Sequence, residues 1–309
     1  MSFPSDSPFP KIGITSGDPA GIGPEVIRAA LDSGKLPSGF RYEVIGEMSG
    51  HAAGHPSEAG ALAAVAALES AAAKLLSGEW QAVVTGPVSK KALHGVGYEF
   101  PGQTEFFAAR AGVGDFAMCL TGGGLTVGLV TAHVPMRDVP GLLCQREIVR
   151  VGNLLASFLA KTVRSDPRIA VAGLNPHAGE GGDIGREEIE IIAPAVATLG
   201  KSATAEFSGP HPPDTIFHRA VAGEFDGVLC MYHDQGLIPL KLHAFDQGVN
   251  VTLGLPFVRT SPDHGTAFHI AGKALARPDS MIAAIGLAAR MLHSPEDRRT
   301  FPNHYDENP

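Results

Sequence analysis

The sequence predicts an α/β fold with largely parallel strands. Two observations support this prediction: short apolar runs alternate with helical segments along the whole chain, and most of the runs end in turns rich in Gly or Pro. No internal repeat and no low-complexity linker interrupts the alternation. In open α/β sheets, ligands bind just past the carboxyl ends of the strands. The residues that follow each strand are therefore the candidates for chemistry.

The first part of the chain predicts three strands separated by two helices. The Gly-rich loop after the first strand could approach a ligand closely, but its glycines do not have the GxGxxG spacing of a dinucleotide fingerprint. The Ala-rich second helix contains Glu69 and Lys74, which favours a soluble helix over a membrane span. The predicted strands are 12–15, 42–45 and 82–85, and the helices are 24–31 and 60–76.

The rest of the chain continues the alternation. A helix is expected to begin near Gln103, and a buried strand before His233 is expected to run into a turn that ends at Gly236. Lys241, Asn250 and Arg259 are expected at strand edges near that turn. The remaining predicted strands are 118–120, 125–131, 169–174, 228–232 and 249–255, and the helices are 145–163, 187–199 and 278–292.

Three of the apolar runs lead to a histidine, namely His133, His177 and His233. A single histidine at a strand end is usually a hydrogen-bonded structural residue. Three on the same pattern favour a shared divalent-metal site that keeps positions open for substrate, because imidazole is a common ligand of such ions.

Composition and charge exclude several classes of function. The formal net charge of −8 over 309 residues disfavours nucleic acid and anionic membranes as partners. The N-terminal residues lack the basic and apolar regions of a secretory signal. Cys119, Cys144 and Cys230 form no CxxC pair, so we interpret them as reduced core residues of a cytoplasmic protein.

Five motifs occur in order along the chain: Gly17–Pro24, Thr85–Lys90, Gly173–Gly182, Met231–Gly236 and Asn250–Pro256. Together they resemble the 4-hydroxythreonine-4-phosphate dehydrogenase family of pyridoxal phosphate biosynthesis. The resemblance extends from Ile12 to about Leu292 and covers nearly the whole sequence.

The resemblance implies an α/β fold like that of isocitrate and isopropylmalate dehydrogenases, with two α/β domains around a central cleft. The implied nucleotide-binding domain comprises 1–104 and 256–309, and the implied metal, substrate and dimerisation domain comprises 105–255. It also implies a homodimer whose metal ligands are shared across the interface.

The resemblance carries over to individual residues. It assigns the metal to His133, His177 and His233, in agreement with the strand-end pattern, and catalytic roles to Asp234 and Lys241. Asp234 would orient a ligand or relay a proton, or it is simply a turn carboxylate. Substrate contacts fall on Gln103, Thr104, Lys241, Asn250 and Arg259, and cofactor contacts fall on His264, Gly265, Thr266 and Lys273.

The implied reaction is the oxidation of 4-phosphooxy-L-threonine to 2-amino-3-oxo-4-phosphooxybutanoate, which loses carbon dioxide to give 3-amino-2-oxopropyl phosphate. NAD or NADP would accept the hydride, and the divalent metal would be zinc, magnesium or cobalt. Two alternatives stay open: a dehydrogenase of 4-phospho-D-threonate or 4-phospho-D-erythronate, and an acyl or phosphoryl transferase on the same fold.

Two departures from the family pattern bear on the substrate. The family usually has His where this chain has Gln103, and an amide cannot become a cation at any pH. The connection 47–59 is also much shorter than is usual there, which puts in doubt any contact that the missing excursion would make.

Overall fold

The computed structural model describes residues 9–201 and 204–293, and its backbone divides into two compact units. Within the described residues, the first unit comprises 9–114 and 255–293, and the second comprises 115–201 and 204–254. Residues 105–114 thus belong to the first unit. The roles that the sequence assigns to two domains stay predictions.

The described residues form ten strands. They are β1 (Lys11–Thr15), β2 (Arg41–Ile45), β3 (Ala82–Thr85), β4 (Ala117–Gly122), β5 (Leu125–Leu129), β6 (Arg168–Ala172), β7 (Glu206–His211), β8 (Gly227–Cys230), β9 (Val249–Leu253) and β10 (Val258–Pro262).

Ten α-helices are described in the same part of the chain. They are α1 (Gly23–Asp32), α2 (Glu58–Leu76), α3 (Lys90–Gly95), α4 (Gln103–Arg110), α5 (Val139–Leu142), α6 (Gln145–Thr162), α7 (Ala193–Leu199), α8 (Ile216–Val221), α9 (His233–Ala244) and α10 (Asp279–Leu292). Short turns of other helical types cover Met136–Asp138, Pro176–Gly182, Glu188–Ile192 and Phe245–Gln247.

In the first unit, four parallel strands pair in the order β2-β1-β3-β10. α2 packs on β1, β2 and β3, whereas α10 packs on β10 and β3 and contacts α1. The indole of Trp80 is 1% exposed and lies against β1 at Gly13, where a Cβ atom would come within 1.9 Å of the ring. Only glycine permits this approach, so Gly13 and Trp80 together close the core under β1.

Among the described helices, α2 is the one that is long and apolar enough to cross a membrane by length and composition. Its inner face, which includes Ala64, Leu68, Ala71 and Leu75, is buried in the core of the first unit. The Ser57 hydroxyl caps its start by accepting a hydrogen bond from the Gly60 amide at 3.1 Å. α2 is therefore buried in the way that a core helix of a globular unit is buried.

In the second unit, six strands pair in the order β9-β4-β5-β8-β6-β7. β4 runs antiparallel to both β5 and β9, and the other pairs are parallel. α6 and α9 pack on the central strands β5 and β8. Buried side chains of α9, Leu237 and Leu240, join Val127 and Val228 in the core. The α/β class with largely parallel pairing is therefore confirmed.

Two local predictions were wrong. The turn expected to end at Gly236 is the first part of α9, so Lys241 lies on a helix and not at a strand edge. A Cβ atom at Gly236 would meet Cys230 Sγ at 3.0 Å, which shows that glycine is there to let α9 approach the sheet. The sequence also gave no sign of β7, which contains Pro210 and lies at the end of the strand order, where a missing N–H is tolerated.

Candidate active site

Two of the three predicted metal ligands lie side by side in the second unit. Backbone hydrogen bonds join the residues after β5 to the end of β8, and the Thr131 hydroxyl donates to the Met231 carbonyl at 2.7 Å. This pairing brings His133 and His233 together, with ring centroids 5.4 Å apart and ring planes at 42°. His133 adopts a left-handed backbone (φ 54°), which turns the chain at this point.

The imidazole of His233 is oriented by its neighbour. Its Nδ1 lies 2.7 Å from Oδ1 of Asp234, so a proton on Nδ1 is donated to the carboxylate and the lone pair of Nε2 remains for a ligand. The next residue, Gln235, accepts from the Met231 amide at 2.7 Å and donates to the Gly173 carbonyl at 2.6 Å. Gln235 thus ties the start of α9 to the ends of both β8 and β6.

His177, the third predicted ligand, lies in a left-handed loop after β6. The backbone is left-handed from His177 (φ 53°) to Gly181, and it includes non-glycine residues. Glu188 holds the start of this loop: its Oε1 accepts from the amides of Leu174 and Asn175, each at 2.7 Å, and its Oε2 accepts from Asn175 Nδ2 at 2.9 Å. Sequence reasoning missed Glu188, whose role follows only from its 3% exposure and these partners.

The His133 and His233 pair fits a divalent ion. With a metal–nitrogen distance of about 2.1 Å, two imidazoles on one tetrahedral ion would have centroids about 5 Å apart, which matches the observed 5.4 Å. Within the described part of a single chain, no three His, Cys, Asp or Glu side chains group closely enough to hold a metal. The structure therefore brings two of the predicted ligands together in one chain, and the assignment of His177 stays a prediction.

A second set of predicted residues lies in the first unit around Arg259. This guanidinium is 4% exposed, and it donates to the hydroxyls of Thr85 at 2.7 Å and Thr104 at 3.3 Å. Burial lowers the pKa of Arg259 to about 10, so the side chain is still protonated at neutral pH. Gln103 donates from Nε2 to the Gly86 carbonyl at 3.1 Å. Because Gly86 offers only an acceptor here, the amide orientation of Gln103 is fixed.

Lys241 and Asn250, the remaining predicted substrate contacts, lie in the second unit. Lys241 is half-buried on α9, two helical turns after Asp234, so the two side chains share one helical face. Asn250 lies on β9 opposite Leu120 of β4 and is also half-buried. The expectation of a strand edge is wrong for Lys241, and the role of both residues in substrate binding stays a prediction.

The segment predicted to bind the nucleotide follows β10 in the first unit. The Thr266 carbonyl accepts from the Ile22 amide at 2.9 Å, and a Cβ atom at Gly21 would lie 2.9 Å from the same oxygen. The loop after β1 therefore supports this segment through a close contact that glycine permits. His264 and Thr266 are half-buried, whereas Gly265 and Lys273 are exposed.

The cysteines take no part in these sets. Cys119 and Cys230 are fully buried on β4 and β8, and burial raises the pKa of both thiols far above the ordinary range. A thiol that resists ionisation is a poor nucleophile and a poor metal ligand. Cys144 is half-exposed, and all three cysteines are free. Their interpretation as core residues is correct for Cys119 and Cys230.

The chain is an α/β protein with a fold of the isocitrate dehydrogenase type. Isocitrate dehydrogenase from Methylococcus capsulatus shares this fold with a TM-score of 0.54, at 15% identity, over 92% of this chain and 88% of that one. The chain belongs to the family described as "Pyridoxal phosphate biosynthetic protein PdxA", whose model matches residues 29–288. The family resemblance and the fold class predicted from the sequence are thus confirmed.

Individual relatives agree with this assignment. A Caulobacter vibrioides protein named 4-hydroxythreonine-4-phosphate dehydrogenase is 41% identical over 91% of this chain and 97% of its own length. A crystal structure of 4-hydroxythreonine-4-phosphate dehydrogenase from Klebsiella pneumoniae has a TM-score of 0.77 at 38% identity, over 91% of this chain and 99% of that one. A terephthalate 1,2-cis-dihydrodiol dehydrogenase from Burkholderia xenovorans has a TM-score of 0.66 at 27% identity, over 91% and 97% of the two chains.

Proposed function

We propose that this protein oxidises 4-phosphooxy-L-threonine to 2-amino-3-oxo-4-phosphooxybutanoate, with NAD or NADP as the hydride acceptor and a divalent metal ion. The observation that supports the proposal most directly is the adjacent pair of His133 and His233, the latter oriented by Asp234. Family membership adds the reaction class, because the relatives are named dehydrogenases of this substrate. The product is a β-keto acid, whose loss of carbon dioxide would give 3-amino-2-oxopropyl phosphate.

The metal would be held by His133, His233 and His177. A zinc, cobalt or magnesium ion would supply Lewis-acid stabilisation of the negative charge that develops on the substrate oxygen. The 2.7 Å hydrogen bond between Nδ1 and Asp234 fixes the tautomer and the ring orientation of His233. Lys241 shares the helical face of Asp234 and would hold or move a proton near the reacting alcohol.

The substrate is an anion at both ends, and the chain offers cations for it. Arg259 would pair with the phosphate or the carboxylate, since its guanidinium stays charged while Thr85 and Thr104 fix its orientation. Gln103 and Thr104 lie in the first turn of α4, where the positive end of the helix dipole favours an anion. Lys241 and Asn250 would supply the remaining contacts.

The exposed face of α9 supports a homodimer. Ile238 and Leu242 are 65% and 87% exposed, and their spacing of four residues places them on one side of α9; Phe245, 75% exposed, lies in the turn that follows the helix. Such a row of large apolar side chains is typical of a protein interface. Asp234 and Lys241 lie on the same side, so a second copy of this chain would cover the catalytic residues and could bring its His177 to the pair.

The assay is reduction of NAD or NADP by the purified protein with 4-phosphooxy-L-threonine and each metal in turn. His233→Ala should abolish turnover, whereas His243→Ala should retain it, because His243 lies on the opposite side of the same helix and its Nε2 donates to the Gly123 carbonyl at 2.7 Å. Removal of metal by a chelator should abolish the activity, and re-addition should restore it. Failure to reduce either nucleotide with any metal would refute the proposal.

The dimer is tested by light scattering coupled to size-exclusion chromatography. Leu242→Glu should convert the protein to a monomer with little activity, because a charge would be buried in the interface. Leu62→Glu is the matched control, since Leu62 is 50% exposed on α2 of the first unit. A wild-type monomer, or a Leu242→Glu variant that remains dimeric, would show that α9 is not the interface.

A second candidate substrate is 4-phospho-D-threonate or 4-phospho-D-erythronate. The observation that favours it is Gln103, an uncharged amide whose Nε2 is already used by the Gly86 carbonyl. The candidate substrates differ in whether they carry an amino group, so the contact between that group and the Gln103 amide would distinguish an amino acid from a hydroxy acid. Comparing kcat/KM for the three compounds at one fixed nucleotide concentration distinguishes the candidates.

The proposed location is the cytoplasm. The three free cysteines are compatible with a reducing compartment, and the small phosphorylated substrate and the nucleotide are cytoplasmic classes of metabolite. Fractionation of cells that express the tagged protein tests the location directly.

A further inference from the structure

We infer that Tyr98 is a positioning residue for the substrate, because its hydroxyl fixes the start of α4 and with it the side chains of Gln103 and Thr104. The inference rests on the proposed function, which assigns these two side chains to the substrate. It goes beyond that proposal because Tyr98 lies outside the five sequence motifs and outside the proposed set of substrate contacts.

Tyr98 lies in the loop between α3 and α4, and its side chain is part of the core of the first unit. The residue is 7% exposed, and its ring packs on Phe100 and Phe106, with ring centroids 5.4 and 5.8 Å apart. Its backbone amide donates to the Leu93 carbonyl at 3.1 Å. Because phenylalanine would make the same ring contacts, the buried hydroxyl needs a separate explanation.

The hydroxyl of Tyr98 donates to the Gly102 carbonyl at 3.1 Å. Gly102 is the N-cap residue of α4, and the same carbonyl accepts the first hydrogen bond of the helix, from the Phe106 amide at 3.2 Å. Glycine has no side chain with which to cap a helix, so the position of this peptide depends on its neighbours. Tyr98 therefore holds the peptide group from which α4 begins.

Tyr98 keeps its proton and acts as a neutral donor. Burial raises the pKa of its hydroxyl far above the ordinary value. The nearby charged groups shift this pKa less than burial does, and they are Arg259, Glu105, Arg110 and Glu69. The role of the hydroxyl is therefore to hold the Gly102 carbonyl, and it does not serve as an acid or a base.

The first turn of α4 carries the side chains that depend on this anchor. Thr104 accepts from the Arg259 guanidinium at 3.3 Å, and Gln103 donates to the Gly86 carbonyl at 3.1 Å. Phe106 is 0% exposed, so burial fixes the body of the helix while Tyr98 fixes its first peptide. A shift of about 1 Å at such contacts is enough to weaken a site strongly.

The test compares two variants that each replace a tyrosine of the first unit with phenylalanine. Tyr98→Phe removes the hydroxyl and keeps the ring. Tyr42→Phe is the matched control, because Tyr42 is half-buried and also donates to a backbone carbonyl, that of Pro37 at 2.6 Å, but supports no residue of the proposed site. Circular dichroism and thermal unfolding show that both variants fold.

The split between KM and kcat distinguishes positioning from a general loss of structure. Tyr98→Phe should raise KM for the phosphorylated substrate about tenfold, which corresponds to about 1.4 kcal/mol, and leave kcat within about twofold. The reason is that the side chains it positions are proposed to bind the substrate and not to take part in the chemical step. Calorimetry with 4-phosphooxy-L-threonine and no nucleotide should show the same loss of affinity, and Tyr42→Phe should show none.

A double-mutant cycle tests whether the effect passes through α4. Thr104→Val removes the hydroxyl that Arg259 contacts. Tyr98→Phe should raise KM by less than about threefold in this background, because residues that act through one another are not additive. A full further tenfold increase would show that Tyr98 acts by another route and would overturn the inference.

The remaining outcomes separate this inference from the proposed function. Equal KM values for Tyr98→Phe and Tyr42→Phe, or a fall in kcat with KM unchanged, would overturn the inference and leave the proposed function in place. If wild type neither binds nor oxidises 4-phosphooxy-L-threonine or either of the alternative hydroxy acids, both are overturned.

Discussion

Replacing Glu188 with alanine should release the loop that carries His177. The carboxylate accepts two amide hydrogen bonds at 2.7 Å and one from Asn175 Nδ2 at 2.9 Å, at 3% exposure. Hydrogen bonds to a charged group contribute about 1.5–3 kcal/mol each. Because the amides of Leu174 and Asn175 are only partly buried, the lower end applies, and the two together amount to about 3 kcal/mol of local stability.

Amide hydrogen exchange measured by mass spectrometry reports this loss where it occurs. A peptide that covers residues 173–176 should exchange about a hundredfold faster in Glu188→Ala, since 1.4 kcal/mol is a factor of ten. Metal affinity should also fall by 10- to 100-fold, as is usual when a group that supports a ligand is removed.

Glu190→Ala is the control for Glu188, because Glu190 lies in the same helical turn but is exposed and pairs with the exposed Arg186 at 2.6 Å. An exposed pair of this kind contributes about 0.5 kcal/mol or less. Exchange in Glu188→Ala that stays within twofold of wild type would show that the carboxylate does not hold the loop, and the structural basis given for His177 would be wrong.

Gly236→Ala should lower the free energy of unfolding by about 1–3 kcal/mol in urea titrations, because the new Cβ atom would lie 3.0 Å from Cys230 Sγ. Gly286→Ala, a helix position with no atom within 4 Å, should instead raise it by up to about 1 kcal/mol, and equal effects would contradict the packing argument. His177→Gly should abolish metal-dependent turnover. The free energy of unfolding should stay constant or rise by up to about 1 kcal/mol, because glycine adopts the left-handed backbone at this position without strain. A variant that is destabilised but active would contradict this prediction. Burial, followed by the nearby charge of Arg219, lowers the pKa of His211 below 6.5, so unfolding at lower pH takes up a proton. The free energy of unfolding of wild type should therefore fall relative to that of His211→Asn as the pH drops below 6.5. Parallel plots of unfolding free energy against pH for the two proteins, from about pH 8 to 5.5, would refute this prediction.

Much of the fold was predictable because buried parallel strands appear in the sequence as continuous apolar runs. β3 and β8 are fully buried, and their sequences contain no polar residue except the Thr that ends β3. α9 was not predictable in this way. Its Gly236 and Pro239 indicate a turn when the sequence is read locally. The reason for Gly236 lies in the packing of the helix on β5 and β8, which no local pattern contains.

The residues of the candidate site also divide into those that a local sequence pattern predicts and those that it does not. The histidines were predicted because each follows an apolar run, and that signal is local. The partners that fix the polar residues are not local: Arg259 donates to Thr85 and Thr104, 174 and 155 residues away in the sequence. Glu188 gave no signal either, because an acid at the start of a helical segment is usually a solvated charge. Only folding shows that its carboxylate is buried.

Two of the three histidines proposed as metal ligands lie on strained backbone. His133 and His177 both adopt φ values near 54°, a region that costs a residue with a side chain about 1 kcal/mol or more. Sequence patterns identified these two positions without any knowledge of backbone angles. Hydrogen bonds hold the chain just before each histidine, from Thr131 to the Met231 carbonyl in one case and from the Leu174 amide to Glu188 in the other. Because Ala178, Glu180, Ala267 and Ala274 adopt the same left-handed region, the strain belongs to the loops that carry the two histidines and does not by itself distinguish a metal ligand.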